Sequence, residues 1–171
     1  MRRAARLAAL VLPLAGLAGL WGWSHHLSRQ GDEWEVPIMG YDPRDILRGH
    51  YVEFTYDWPG LDAADFSAPL SALCLSGTAP VIERAARASA AELATCAHPV
   101  RGPSEGIYGS DALRRGRLYA GQSRARELDK ALRDQSQRAF VRFRLRPDGT
   151  IMPLDIVLRP FGPEQRPLEY R

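Results

Sequence analysis

Asp42, Asp45 and His50 crowd one short stretch of the chain. Two carboxylates and an imidazole within nine positions suit proton transfer, and so a hydrolytic reaction with general acid–base help. Lys130 is the single lysine among 23 basic residues, so any mechanism that needs a lysine base has one candidate. Cys74 and Cys96 are the only cysteines. They either bond to each other, closing a loop of about 20 residues worth roughly 3 kcal/mol by loop-closure entropy, or stay free. The spacing does not decide. His25 and His26 are adjacent, while His50 and His98 stand alone. No His/Cys/Asp/Glu spacing of the kind that holds a metal is visible, nor a glycine-rich phosphate loop or a nucleophile elbow. The sequence therefore implies no metal and no cofactor.

Charge is distributed unevenly. The chain has 171 residues and a formal charge of +3. Residues 1–30 hold Arg2, Arg3, Arg6 and Arg29 and no acid, leaving 19 basic against 20 acidic residues in 31–171. A nucleic-acid partner needs a basic face that displaces phosphate counterions; the basic excess here lies in the leader, so no nucleic acid is expected. One charged row stands out beyond the leader: Arg142, Arg144 and Arg146 alternate along a segment. It reads as a solvated strand face, with an anionic partner such as lipid headgroups as the alternative.

The leader is an apolar run, Leu7 to Trp23, flanked by arginines on its N-terminal side only. A bilayer core takes about 17–25 apolar residues as helix, and Trp21 and Trp23 fall where an interfacial aromatic belt would lie. Pro13 and three glycines are compatible with a membrane helix. The expectation is a signal-anchor or transmembrane helix over 1–27, contacting the lipid bilayer through residues 7–23. The N-terminus would be cytoplasmic and everything beyond on the periplasmic side of the inner membrane. A cleaved signal peptide at Ala15-Gly16-Leu17-Ala18 is the alternative, and it too exports the domain.

The remaining organisation is read as a linker over 28–34, a β-rich domain over 35–160 and a C-terminal tail over 161–171. Glu35 to Met39 is a short extended segment. Asp42 to Gly49 reads as one capped helical turn: Asp42 as N-cap, Pro43 at the first helical position and Gly49 as its left-handed stop. Tyr51 to Trp58 alternates strictly, with Val52, Phe54, Tyr56 and Trp58 on one face, which is a strong strand signal. Pro69–Leu75 and Ala79–Arg84 read as weak strands about a Ser76-Gly77 turn, and Leu93–Val100 as another, with Ala85–Ala94 helical in the alternative reading. Gly102 to Gly109 is a loop. Ser123 to Asp134 reads as an amphipathic helix with Ala125, Leu128, Ala131 and Leu132 inward. Arg138–Arg146 and Ile151–Arg159 form a hairpin about Pro147-Asp148-Gly149-Thr150. The expected fold class is α+β: a single β-rich extracytoplasmic domain with one packed amphipathic helix, after one N-terminal transmembrane helix.

Gly49-His50-Tyr51-Val52-Glu53-Phe54-Thr55-Tyr56 resembles the signature Gly-Asp-Tyr-x-x-Leu-x-Tyr of the GDYXXLXY family. The preceding Asp42-Pro43-Arg44-Asp45-Ile46-Leu47-Arg48 is similar to that family's lead-in, and Tyr119–Leu128 resembles its second block. His50 stands in place of the signature acid and Phe54 in place of its leucine. The resemblance implies a membrane-anchored protein without an established biochemical activity, and it supplies no catalytic residues to carry over. The same turn also distantly resembles the Ser-x-x-Pro-x-Leu-x-x-Gly-Asp stretch of signal-peptidase-like enzymes, but the nucleophile position falls near Tyr41 or Asp42. The functional expectation is a non-enzymatic envelope module that binds or supports another membrane protein. The alternative is an exported hydrolase using Asp42, Asp45 and His50.

Overall fold

The computed structural model describes residues 2–44, 51–62, 68–103, 107–124, 127–128 and 137–160; side chains at 2–8, 10, 40–44 and 110 lie outside that description. The chain divides into two units, Met1–Gly31 and Asp32–Arg171.

The first unit is a helix, α1 (Arg2–Ser28), of 27 residues. Its last turn is closed by local bonds, with the Ser28 hydroxyl donating to the His25 carbonyl at 2.8 Å and Trp21 stacked on His25. Val11, Leu12, Leu14, Leu17, Leu20, Trp21 and Trp23 are all exposed. Among the described residues no helix is long and apolar enough to cross a membrane. The described run of side chains from Val11 ends on the polar Ser24, His25 and His26, while Leu7, Ala8 and Leu10 of the apolar run fall outside it. The expected segment over 7–23 is thus a helix, and it is not shown to be a span.

The second unit is built on strands β1 (Asp32–Arg44), β2 (Tyr51–Tyr56), β3 (Ala72–Thr78), β4 (Val81–Arg87), β5 (His98–Arg101), β6 (Arg115–Tyr119), β7 (Gln137–Leu145) and β8 (Ile151–Pro160). They form one sheet in the order β5-β3-β4-β1-β2-β6, with β7 on the other side of β1 and β8 beyond it. β1 organises everything. Its first half pairs antiparallel with β7, from Asp32↔Leu145 to Pro37↔Phe140. Its second half pairs antiparallel with β2, and the register shifts between Met39 and Asp42.

This long strand extends one expectation and corrects two. The linker expected over 28–34 extends too far: strand begins at Asp32, and Trp34 is fully buried. Glu35–Met39 is part of a 13-residue strand. Asp42, Pro43 and Arg44 do not start a helical turn; they lie opposite Glu53, Val52 and Tyr51. An Asp-Pro pair suits a helix start locally, yet pairing with β2 gives the backbone another set of partners. Proline is tolerated in a strand near such an irregularity. Residues 45–50 lie outside the described residues.

The alternation in β2 is borne out. Val52, Phe54, Tyr56 and Trp58 are each at most 2% exposed, and Tyr51, Glu53 and Thr55 are half-buried on the other face. The Trp58 indole N–H donates to the Leu113 carbonyl at 2.6 Å, which lets the ring be buried without losing its hydrogen bond. Trp58 also meets Phe143 edge-on. The β7–β8 hairpin forms as expected, turning at Gly149 with φ 86°.

The β3–β4 hairpin turns at Ala79-Pro80 rather than Ser76-Gly77. Ser76-Gly77 is instead an irregularity inside the pair. Gly77 has φ +129°, and a Cβ there would lie 2.5 Å from the Val81 carbonyl oxygen, so only glycine fits without displacement. Between β4 and β5, the two readings of the sequence share the segment. β4 runs to Arg87, and α2 (Ala90–Leu93) follows with a capping box in which Ser89 and Glu92 bond each other's backbone N–H. The expected amphipathic helix is helical at 122–124 and 127–128, with Leu128 buried in the core. Arg124 fastens it to β8 through Asp155 at 3.1 Å and the Ile156 carbonyl. Residues 129–136 and the tail 161–171 lie outside the described residues.

Candidate functional site

Of the expected signature residues, Tyr51, Phe54 and Tyr56 are described in full, and they divide between the two faces of β2. Phe54 and Tyr56 are core, their rings meeting edge-on at 5.2 Å. Burial pushes the Tyr56 phenol well above its ordinary range, so it stays a neutral packing group at any physiological pH. Tyr51 points the other way. It pairs with Tyr119 across β2 and β6, ring to ring at 5.9 Å, and the Arg117 guanidinium lies 3.9 Å from the Tyr51 ring centre.

Arg117 is the centre of this outer face. It also lies over Tyr108, donates to the Tyr119 hydroxyl at 3.4 Å and is 3.8 Å from Glu53. The bond to Tyr119 pushes the pKa of the guanidinium, a cation at any ordinary pH, further up. Burial pushes the Tyr108 phenol up, while the nearby Arg117 cation works in the opposite direction. A cation stacked on tyrosines is a positioning contact, worth about 0.5–2 kcal/mol depending on desolvation. It offers no nucleophile.

The arginine row on β7 resolves into a ladder of cross-strand ion pairs. Arg142 faces Glu35 and Arg144 faces Glu33 in the β1–β7 register, and each arginine bonds its partner. Arg146 instead reaches the Met152 sulfur. Such pairs contribute about 0–1 kcal/mol each; they consume the charge that the isolated row displays.

Beside this ladder lies a groove of about 490 Å³. Its floor and walls come from Pro37 on β1, Trp58 and Leu61 beyond β2, Val81 and Ile82 on β4, and Phe140 on β7. Its polar rim is Glu35, Asp57, Arg138 and Arg159. Arg138 donates to Asp57 at 2.8 Å, and Arg159 to Glu35 at 2.6 Å. The two guanidiniums flank the Phe140 ring at 5.8 and 6.0 Å. The size falls in the range of pockets for small molecules.

Cys74 and Cys96 form a disulfide, with Cα atoms 5.8 Å apart. It ties β3 to the segment after α2. Among the described residues no group of three metal-ligating side chains gathers.

A family model described as GDYXXLXY protein matches residues 13–156, most of the chain. The chain belongs to the GDYXXLXY family. No curated protein and no solved structure gives a significant match. In this GDYXXLXY chain the signature strand is β2, where Phe54 occupies the signature's leucine position with its ring in the core. The lead-in residues Asp42, Pro43 and Arg44 are described by their backbone only, opposite the signature strand. Asp45, Leu47, Gly49 and His50 lie outside the described residues. The GDYXXLXY signature thus combines core packing with one outward tyrosine set on Arg117. Sequence reasoning did not find Arg117, Tyr108 or the groove. The one available signal for Arg117 was its place in the alternating Arg115–Tyr119 segment, which does not reveal its partners on β2.

Proposed function

We propose that the protein is an anchored envelope module: α1 lies in a bilayer, the β domain stands on its far side, and that domain binds or supports another membrane protein. The observation that carries this reading is the exposure of Val11 through Trp23 along α1. Apolar surface in water costs about 25 cal/mol per Å², and soluble monomers rarely leave contiguous apolar patches beyond a few hundred Å² uncovered. A bilayer removes that cost. The arginines at 2, 3 and 6 favour a cytoplasmic N-terminus, and the Cys74–Cys96 bond suits an oxidising compartment beyond the membrane. The family match names no activity. The hydrolytic alternative turns on Asp42, Asp45 and His50, whose side chains lie outside the described residues.

The test is crosslinking of the full chain in intact membranes, for the native sequence and for Asp42, Asp45 and His50 all changed to alanine. A defined membrane-protein partner captured equally by both supports the binding module. A hydrolytic activity of the native chain that disappears in the triple variant, with no partner captured by either, overturns it.

A further inference from the structure

We infer that Arg124 and Asp155 seal the outer edge of β8, and so keep the β8 strand of a second copy of this chain from adding to the sheet. Among the described strands β8 pairs with β7 alone. The register fixes which of its backbone groups turn outward. The Glu35 N–H donates to the Pro80 carbonyl, toward β4. Successive residues of a strand turn these groups to alternate sides, so Val36 turns to β7, where it faces Val141. Val141 thus spends its own groups on β1. Ile156, opposite Val141 on β8, turns its N–H and C=O away from β7.

Side chains take both. The Arg124 guanidinium donates to the Ile156 carbonyl at 3.1 Å, and the Asp155 carboxylate accepts from the Ile156 N–H at 2.8 Å. The same guanidinium nitrogen holds the Asp155 oxygens at 3.1 and 3.2 Å. One donor and one acceptor, bonded to each other, therefore stand where the peptide groups of a neighbouring strand would stand. Prolines bound the stretch on either side. Pro153 lies at the shift of register opposite Phe143 and Pro160 ends the strand, and neither has an N–H.

The composition of β8 gives the seal its purpose. From Ile151 to Leu158 the strand carries one charged residue, Asp155. An apolar edge with open N–H and C=O groups is a template for another strand, and folded proteins blunt such edges with charge and proline. A second copy brings the same sequence, and two identical edges paired antiparallel about Ile156 make a closed two-fold contact. That contact needs the two Ile156 groups that Arg124 and Asp155 hold. The inference concerns the β domain alone and does not rest on the anchored reading.

The test places the full chain in phosphatidylcholine nanodiscs at one chain per disc, or in detergent micelles at one chain per micelle should it not enter discs, so that α1 cannot bring copies together. Sedimentation velocity over a concentration series reads association, with the melting temperature measured alongside. Arg124→Ala/Asp155→Ala is expected to associate at least about tenfold more tightly than the native chain, and a synthetic peptide of residues 151–160 in excess to prevent it. Arg124→Ala, which leaves Asp155 on the Ile156 N–H, is expected to fall between, and it decides the matter if the double variant does not melt cooperatively. Arg124→Lys keeps a cation at the edge and is expected to behave as the native chain. An ion pair that merely stabilises would lower the melting temperature of the alanine variants and leave them unassociated; that result overturns the proposal. So does a native chain that associates as tightly as the double variant, or an association that the peptide leaves unchanged.

Discussion

The ring of Phe54 lies on the backbone of Gly116, its cross-strand partner on β6. A Cβ at 116 would fall 2.7 Å from Phe54 Cζ and 2.8 Å from the Tyr56 hydroxyl. The phenylalanine that departs from the family's leucine is thus accommodated by a missing side chain on the next strand.

Gly116→Ala is expected to destabilise the domain by about 1–3 kcal/mol, the usual cost of overpacking a filled core. Phe54→Leu in the same chain makes room, so the double variant loses less than the sum of the two single losses. Urea unfolding of the four proteins forms the cycle. Strict additivity would contradict the contact.

The disulfide closes the segment between β3 and the turn after α2 over a sequence separation of 22. Cys74→Ser/Cys96→Ser is expected to cost about 2–5 kcal/mol, and reductant lowers the melting temperature of the native chain but not of the variant. Identical melting of native chain and variant under oxidising conditions would show that the bond adds nothing.

Two exposed carboxyl groups add to the loss of stability in acid. Hydrogen bonds from the Thr150 hydroxyl and backbone hold Asp148 below the usual carboxylate range, and the Ser89 backbone N–H does the same for Glu92 in the capping box. Both folded-state values are depressed, so each contribution is present above the unfolded carboxylate pKa and lost as pH falls through the folded one. Asp148→Asn is expected to flatten the decline of stability below about pH 4 relative to the native chain, read as urea midpoints across an acid series. A native curve that rises on acidification would reverse the sign.

Local periodicity made part of this architecture legible. Val52, Phe54, Tyr56 and Trp58 alternate because their strand has one core face, and the Asp148-Gly149 turn carries its own conformational signal. Features decided by distant partners were not legible. β1 contains Pro37, Gly40 and Pro43, each a local breaker, yet its pairing with β2 and β7 makes it the central strand. Ser76-Gly77 looks the same locally whether it turns a hairpin or kinks one, since both need a left-handed glycine. Arg142 and Arg144 read as a free row until the β1–β7 register sets Glu35 and Glu33 against them. The groove draws its lining from segments 35–37, 57–61, 80–82, 138–140 and 159, and no single segment carries a mark of it.

The most direct measurement of the anchored reading is fractionation of cells expressing the full chain, followed by protease treatment of spheroplasts. The account predicts that the chain stays with the membranes after alkaline extraction and that external protease degrades the β domain. Recovery of the full chain, leader included, in the soluble fraction, or a β domain that external protease cannot reach until the membrane is lysed, would contradict it.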